Sequence, residues 1–470
     1  MTKEEIIALI KREVIPAMGC TEPMAVSLCT AMAAEDLGVQ PEEIDVLLSA
    51  DILKNAMGVG IPGTGMVGLP IAVALGALIG KSDYQLEVLR DVTPDDVQRG
   101  KTFIDEGRIH IALKENIPEV MGYDEKLYIE VTCRAAGKSA TAIIAKEHTH
   151  RISPSELRQA SNEVPISQAA SSVPLADRQP SHEGASSAPC ADHQPSPEGA
   201  SSSFSCADHH STHGSSCDLT LRQVYDFAMQ TPLEELAFIN EARRLNEQAA
   251  SEALKGNYGH CLGKTLSRPL GRGIMGESIF SHILSKTSAA CDARMAGAKI
   301  PVMSNSGSGN QGIAATLPVV VFAEENHNTE EELIRALILS HLTAIYIKQS
   351  LGRLSALCGC VVASTGSSCG MTYLMGGGYE QVSYSVKNMI ANLAGMVCDG
   401  AKPSCALKVT SGVSTAILSA LLAVQNNFVG SVEGLIEDDV DRCIHNLTRL
   451  GADGMVETDR MVLDIMTHKQ

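Results

Sequence analysis

Ala176-Asp-Arg-Gln-Pro-Ser-His-Glu-Gly-Ala-Ser-Ser187 recurs fifteen residues later as Ala191-Asp-His-Gln-Pro-Ser-Pro-Glu-Gly-Ala-Ser-Ser202. A third, degraded copy follows as Ala207-Asp-His-His-Ser-Thr-His-Gly-Ser-Ser216. Between Ala170 and Cys217 the large hydrophobes are Val173, Leu175 and Phe204, set against 13 serines in 48 residues. Such repeats cannot bury enough apolar surface to offset the entropy of ordering, so 151–218 reads as a disordered, low-complexity insertion. His182, His193, His209, His210 and His213 with Cys190, Cys206 and Cys217 would bind metal only adventitiously; slippage in a surface loop explains them more simply.

The insertion divides the chain into two parts of different periodicity. Residues 1–150 open with an amphipathic helix over Lys3–Val14 and then alternate helix and strand signals. Ile44-Asp-Val-Leu-Leu-Ser-Ala and Leu127-Tyr-Ile-Glu-Val-Thr-Cys read as strands. Residues 219–470 are mostly helix-periodic. Thr231-Pro-Leu-Glu-Glu starts one helix with a cap and a first-turn proline, and Thr329-Glu-Glu-Glu-Leu starts another. The expected fold is α+β: a smaller α/β part over 1–150 and a mainly helical part with Gly-rich loops over 219–470.

The 470 residues allow two to four folding units. At 44% hydrophobic and 20% charged the chain can bury a sizeable core. Aromatics make up only 3%, so that core must be aliphatic. Thirty-seven basic against fifty-five acidic side chains leave a charge of −18, which repels phosphate backbones and anionic lipid. Neither nucleic acid nor a membrane is an expected partner. Ala56–Gly80, Ala356–Tyr379 and Val409–Val432 are long and uncharged, but Gly, Pro, Ser, Thr, Cys and Asn interrupt them; buried core is the better reading. The first residues lack the apolar run of a signal peptide, so a cytoplasmic location and reduced thiols are expected.

Two stretches match G-x-G-x-x-G: Gly63-Thr-Gly65-Met-Val-Gly68 and Gly307-Ser-Gly309-Asn-Gln-Gly312. Neither sits in the strand–turn–helix setting of a dinucleotide site. The second belongs to Ser304-Asn-Ser-Gly-Ser-Gly-Asn-Gln-Gly312, whose backbone N–H groups suit either a nest for a carboxylate or phosphate or simply a tight polar loop. It also resembles the Ser-Gly-Asn loop of pyridoxal-phosphate lyases. Lys286 would then be the Schiff-base lysine and Gly376-Gly-Gly378 the phosphate loop, although the order and spacing fit that family poorly.

The cysteines are more informative. Cys398-Asp-Gly-Ala-Lys-Pro-Ser-Cys405 sets two thiols around a Gly/Pro turn. Ser355-Ala-Leu-Cys358-Gly-Cys360 supplies a third, with Cys369 a candidate fourth. No C-x-x-C pair repeats as in a zinc ribbon. Three convergent thiolates in Gly/Ser loops suit an iron–sulfur cluster that keeps one iron open; buried, inert cysteines are the plain alternative.

Taken together, Gly19-Cys20-Thr-Glu-Pro23, Lys54-Asn55, Pro62-Gly-Thr-Gly-Met-Val-Gly68, Asp292-Ala-Arg294-Met, the Ser304–Gly312 loop, Ser355-Ala-Leu-Cys358 and Cys398-Asp-Gly-Ala…Ser-Cys405 resemble the L-cysteine desulfidase family. These proteins are similar to the catalytic chain of oxygen-sensitive, iron–sulfur L-serine dehydratases. The resemblance runs along the whole chain outside the insertion. It implies a cytoplasmic [4Fe-4S] enzyme that converts L-cysteine to pyruvate, ammonia and sulfide. Carried over position by position, it implies Cys358, Cys398 and Cys405 as cluster ligands, with Cys360 and Cys291 as extra thiols beside family motifs. Cys20 falls at a family cysteine considered either ligand or base, and Lys54 is a cation that could lower its pKa. Asn55, Arg294, Ser304, Asn305, Ser306, Gly307 and Asn310 are the implied substrate contacts.

The implied chemistry suits these residues. Without an organic electron sink, an open iron must act as the Lewis acid and a base must take a weakly acidic Cα proton. An iron–sulfur L-serine dehydratase is the near alternative, a pyridoxal-phosphate lyase the rival chemistry, and a non-enzymatic iron–sulfur or zinc scaffold the reading from another class. The expected partner is a small amino acid; a homo-oligomer stays open.

Overall fold

A computed structural model describes residues 1–114, 127–153, 156, 219–352 and 355–469. The repeats, their histidines and their cysteines lie outside the described residues. The described residues belong to one compact unit. Its helices are α1 (Lys3–Glu13), α2 (Thr21–Leu37), α3 (Ala50–Ala56), α4 (Leu69–Ile79), α5 (Pro94–Asp105), α6 (Leu221–Gln230), α7 (Leu233–Leu236), α8 (Asn240–Lys255), α9 (Leu262–Ser267), α10 (Pro269–Met275), α11 (Ile279–Met295), α12 (Gly309–Glu325), α13 (Glu330–Leu351), α14 (Gly359–Leu374), α15 (Tyr379–Leu393), α16 (Cys405–Val424), α17 (Val440–Arg449) and α18 (Val456–Thr467). Its strands are β1 (Pro16–Ala17), β2 (Glu43–Leu48), β3 (Ile109–Leu113), β4 (Tyr128–Ala135), β5 (Lys138–Ala145) and β6 (Val302–Met303). The architecture is α+β.

The N-terminal sheet has the order β3-β2-β4-β5, with β2 parallel to β3 and the other pairs antiparallel. Ile44, Val46 and Leu48 alternate with Ile129, Val131 and Cys133 on the face covered by α2 and α4. The period-2 apolar pattern is what selects that face. Local signals set many helix starts. Thr2 with Glu5, Thr93 with Asp96, and Thr329 with Glu332 each form a reciprocal capping box. Thr231 behaves differently from its sequence reading. It ends α6 and Pro232 caps the single turn of α7, because Thr231 is already placed by the preceding helix, whose carbonyl Phe227 O receives its N–H.

The C-terminal core is a bundle in which α14 packs between α12, α13, α15 and α16. Small residues let it lie close: a Cβ on Gly366 would sit 2.2 Å from Ser340 O on α13. Among the described helices, α16 is long and apolar enough to cross a membrane by length and composition. One side of it, including Val409, Val413, Ala416 and Ala420, is buried in the bundle core, while Leu407, Leu418, Leu421 and Leu422 are exposed.

The two parts are joined across β1–β6, with Pro16 opposite Met303 and Ala17 opposite Val302. The first G-x-G-x-x-G stretch closes a tight loop, Gly60 bridging to Val67, and Gly60 N–H donates to Met295 O at 2.9 Å. That stretch is a joint between α11 and the sheet part, which places Cys20 and Asn55 against the helical bundle.

Candidate functional site

Four long helices begin at one cavity of about 120 Å³. Cys20 caps α2, Ser308 caps α12, Cys358 caps α14, and Cys405 is the first residue of α16. Every helix start leaves unpaired N–H groups and the positive end of a dipole, so this convergence favours anions. Cys20, Cys358 and Ser404 make no side-chain cap bond to their own helices. Their loops are held instead by backbone pairing: Cys358 N–H donates to Met396 O at 2.9 Å and Cys398 N–H to Ala356 O at 2.6 Å. The Cys358 and Cys398 loops are therefore one short ladder, and the two sulfurs lie side by side at its end.

Cys20, Cys358, Cys360, Cys398 and Cys405 all line this cavity, with Asn55, Arg294, Asn310, Gln311, Lys348 and Lys408. Glu22 is the single carboxylate among the lining residues. The neighbouring Cys360 and burial push the Cys358 thiol well above its ordinary range. Cys398 is pushed up by Cys358 and by burial, and Cys405 chiefly by burial. Such a set is costly to ionise unless a metal neutralises it. Cys360 Sγ donates to Met396 Sδ at 3.1 Å and Lys408 O at 3.4 Å.

The donor set fits an iron–sulfur cluster. All three candidate ligands are sulfur, and Lys408, ion-paired with Asp399, sits beside them. A single tetrahedral zinc would draw its thiolates to about 3.8 Å from one another, given Zn–S bonds of about 2.3 Å. Among the described residues, the one His/Cys/Asp/Glu trio whose ligand atoms lie within 4.8 Å of one another is Glu43, Asp45 and His110, with Glu43 and Asp45 ion-paired to Arg134. Cys358, Cys398 and Cys405 are not drawn together into such a trio. Cys369 does not line the cavity; it is fully buried within α14, where Ser385 Oγ donates to it at 3.9 Å.

Arg294 is buried on α11, and its Nε has no partner among the described residues. Gly309 is what lets it lie there, since a Cβ at that position would fall 2.2 Å from Nε. Asn310 Oδ1 and Gln311 Oε1 are likewise buried without partners. Asp292, two residues before Arg294, instead serves structure: its carboxylate accepts the Gly263 N–H at 3.1 Å at the start of α9.

The structure divides the remaining sequence candidates. Cys20, Asn55, Arg294, Gly307 and Asn310 line the cysteine cavity; Ser304, Asn305, Ser306 and Lys54 do not. Asn305 and Ser308 exchange backbone bonds around Ser306 (φ 48°) and Gly307 (φ 79°), a tight turn of the primed kind. Ser304 Oγ donates to Ile15 O at 2.7 Å, and Ser306 Oγ to Asn305 Oδ1 at 2.9 Å. Asn305 Nδ2 donates to His341 Nδ1 at 3.1 Å. Those side chains fix the loop rather than face the thiols, because the loop must bind its own polar groups where α1, α12 and α13 bury it.

Lys54 also departs from its expected part. Its ammonium is ion-paired with Asp51 at 2.8 Å and with Asp459 of α18. Burial alone would lower its pKa, but Asp51 and the Cys398 sulfur outweigh it and raise it. Its wall belongs to a separate groove of about 1020 Å³ under α18. The cation that acts on Cys20 is Arg294. Burial, then Glu22, hold the Cys20 thiol well above its ordinary range, and Cys20 Sγ donates to Glu22 Oε2 at 2.9 Å. The pyridoxal-phosphate alternative loses its lysine: Lys286 lies on α11 with its side chain 39% exposed, 3.8 Å from Glu324 and outside the cavity. Sequence reasoning passed over Glu22, Gln311, Lys348 and His341. Polar residues inside otherwise apolar helices, as Lys348 and His341 are, were the available signal.

The family described as serine dehydratase alpha chain matches residues 83–464. The chain is similar to the UPF0597 protein of Bacteroides thetaiotaomicron, at 62% identity over 467 residues, covering 99% of this chain and 98% of the relative. It is similar to the UPF0597 protein of Porphyromonas gingivalis, 50% identical over 469 residues covering 100% and 99%. The UPF0597 protein of Oleidesulfovibrio alaskensis is 43% identical over 464 residues, covering 99% and 98%. Matched from shortly before α5 to the last helix, with thiols gathered where helices begin, the chain belongs to the serine dehydratase alpha chain family, whose members are iron–sulfur-dependent lyases of the dehydratase type.

Proposed function

We propose that this protein is a [4Fe-4S]-dependent L-cysteine desulfidase, cleaving L-cysteine by β-elimination to pyruvate, ammonia and sulfide. The observation that carries the reading is the meeting of Cys358, Cys398 and Cys405 with Cys20, Arg294 and Asn310 in one cavity. Cys358, Cys398 and Cys405 would hold the cluster, which when bound supplies an open iron as a Lewis acid for the departing group.

The chain's own residues account for the rest. Arg294 and the start of α12 bind the substrate carboxylate. The Cys20–Glu22 pair takes the Cα proton, and the freed electron pair becomes the Cα–Cβ double bond as the Cβ–S bond breaks. Sulfur leaves as sulfide. The aminoacrylate that remains tautomerises to an imine and reacts with one water, giving pyruvate and ammonia. Burial of Lys348, Arg294 and Cys20 keeps bulk water from the carbanion-like centre.

L-Serine is the second substrate reading, favoured by the family's description. The same steps would release water in place of sulfide. Anaerobic purification with an absorption spectrum and iron and acid-labile sulfide analysis tests the cofactor. Parallel assays of pyruvate from L-cysteine and from L-serine test the substrate. Protein without iron, or with turnover of neither amino acid, overturns the reading.

A further inference from the structure

The unpartnered groups of the cysteine cavity are of two kinds, and they are sorted by charge. Arg294 Nε is a donor; Gln311 Oε1 and Asn310 Oδ1 are acceptors; all three atoms are buried without a hydrogen-bond partner among the described residues. Arg294 and Gln311 are each only 3% exposed, so neither can turn to water. A buried polar atom left unpaired costs free energy comparable to a lost hydrogen bond, so a site that holds three is built for a ligand that pairs them.

Their positions follow from the start of α12. Asn310 and Gln311 are the second and third residues of that helix, and Gln311 N–H is itself capped by Ser308 Oγ at 3.4 Å. The Asn310 amide donates to Met295 Sδ at 3.3 Å, which leaves its oxygen facing away from that bond. The Gln311 side chain is pressed against the start of α14: a Cβ on Gly359 would lie 3.1 Å from its Cδ. Gly359 is thus the residue that makes room for Gln311 beside Cys358.

We infer that Gln311, with Asn310, reads the α-ammonium group of the substrate, while Arg294 and the N–H groups at the start of α12 read its carboxylate. The cavity thereby selects a zwitterion, an α-amino acid, over the same acid without its amine. The inference rests on the lyase reading above and adds a residue and a role to it. An amide oxygen suits this task better than a carboxylate would. It accepts from an ammonium while adding no negative charge beside three thiolates and the substrate's own carboxylate.

The test uses two ligands that cannot undergo elimination: L-alanine, which keeps ammonium and carboxylate, and propionate, which lacks the amine. Binding to anaerobically purified protein is measured by calorimetry and by competition against turnover. The native protein should bind L-alanine about 10- to 100-fold more tightly than propionate, the range expected for a hydrogen bond to a charged group. Gln311→Met, close in volume, should lose most of that preference while propionate binding and iron content stay unchanged. Gln311→Glu should retain L-alanine binding without tightening it, because its charge also meets the substrate carboxylate, and should weaken propionate. Unchanged discrimination in Gln311→Met with normal iron content overturns the assignment of Gln311. So does a parallel loss of both ligands in Gln311→Glu, which would mean that the amide reads the carboxylate. Native protein that turns over no amino acid and binds neither probe overturns the lyase reading itself.

Discussion

Cys20 Sγ donates to Glu22 Oε2 at 2.9 Å across the first turn of α2, and both side chains face the cavity that holds Cys358, Cys398 and Cys405. The pair couples a buried thiol, raised by desolvation, to the single carboxylate among the lining residues. Cys20→Ser should therefore keep its iron and its fold, since a hydroxyl can still donate to Glu22. It should lose about 10²–10⁴-fold in turnover, the usual cost of a positioned base. Iron content and kcat measured on the same preparation decide the matter. Wild-type activity removes the catalytic assignment, and a cluster that becomes labile before substrate is added makes Cys20 a ligand instead.

Replacing Cys358, Cys398 or Cys405 by Ala should abolish cluster binding, because two thiolates hold a cluster poorly. Cys29, Cys133 and Cys443 are the controls. Cys29 Sγ donates to Ala142 O at 3.3 Å, Cys133 lies in the sheet core, and Cys443 Sγ donates to Glu437 O at 3.3 Å. Their Ala variants should retain iron. Full iron content in Cys398→Ala would sink the ligand assignment.

Deleting 170–217 and closing the gap with a short Gly/Ser linker should leave iron content and turnover unchanged. The segment offers almost no apolar side chains for packing, and changing loop length over this range costs only about 1 kcal/mol. Aggregation of the deletion protein, or loss of its iron, would show that the insertion is structural.

Gly400 has φ +88°, and a Cβ there would lie 2.2 Å from the carbonyl oxygen of Lys54. Gly400→Ala should lower stability by about 1–3 kcal/mol and weaken iron retention at the neighbouring Cys398. Gly395 has ordinary backbone angles and open space around it, so Gly395→Ala should be neutral or slightly stabilising. Equal melting temperatures for the two variants would refute the role given to Gly400.

His341 is fully buried between Asn305 Nδ2 and Thr316 Oγ1, and burial lowers its pKa from 6.5 to about 3. The unfolded chain binds the proton more readily than the native one across that interval, so stability rises with pH there and is complete above about pH 6.5. Acidification from pH 7 to pH 5 should cost stability with a slope approaching, at most, about 1.4 kcal/mol per unit. Denaturant unfolding of wild type and His341→Gln at both pH values checks this. The same acid slope in both proteins would exclude His341 as its source.

What was legible in the sequence was local or periodic. The Thr2–Glu5 and Thr329–Glu332 caps, the alternation of Ile44, Val46 and Leu48, and the cysteine-bearing loops all depend on residues a few positions apart. Only the tertiary structure could decide which side chains share a space. Lys54 reads as a cation for Cys20 until Asp459, on the last helix, is seen to hold it. Asn305 reads as a substrate contact until His341 is found behind it. Four helix starts that are far apart in the chain, at Cys20, Ser308, Cys358 and Cys405, become one positively polarised cavity only through packing. Sequence specifies that each begins a helix; the direction in which each begins is set by the bundle core, because burial of an apolar face orients a helix while its caps merely end it.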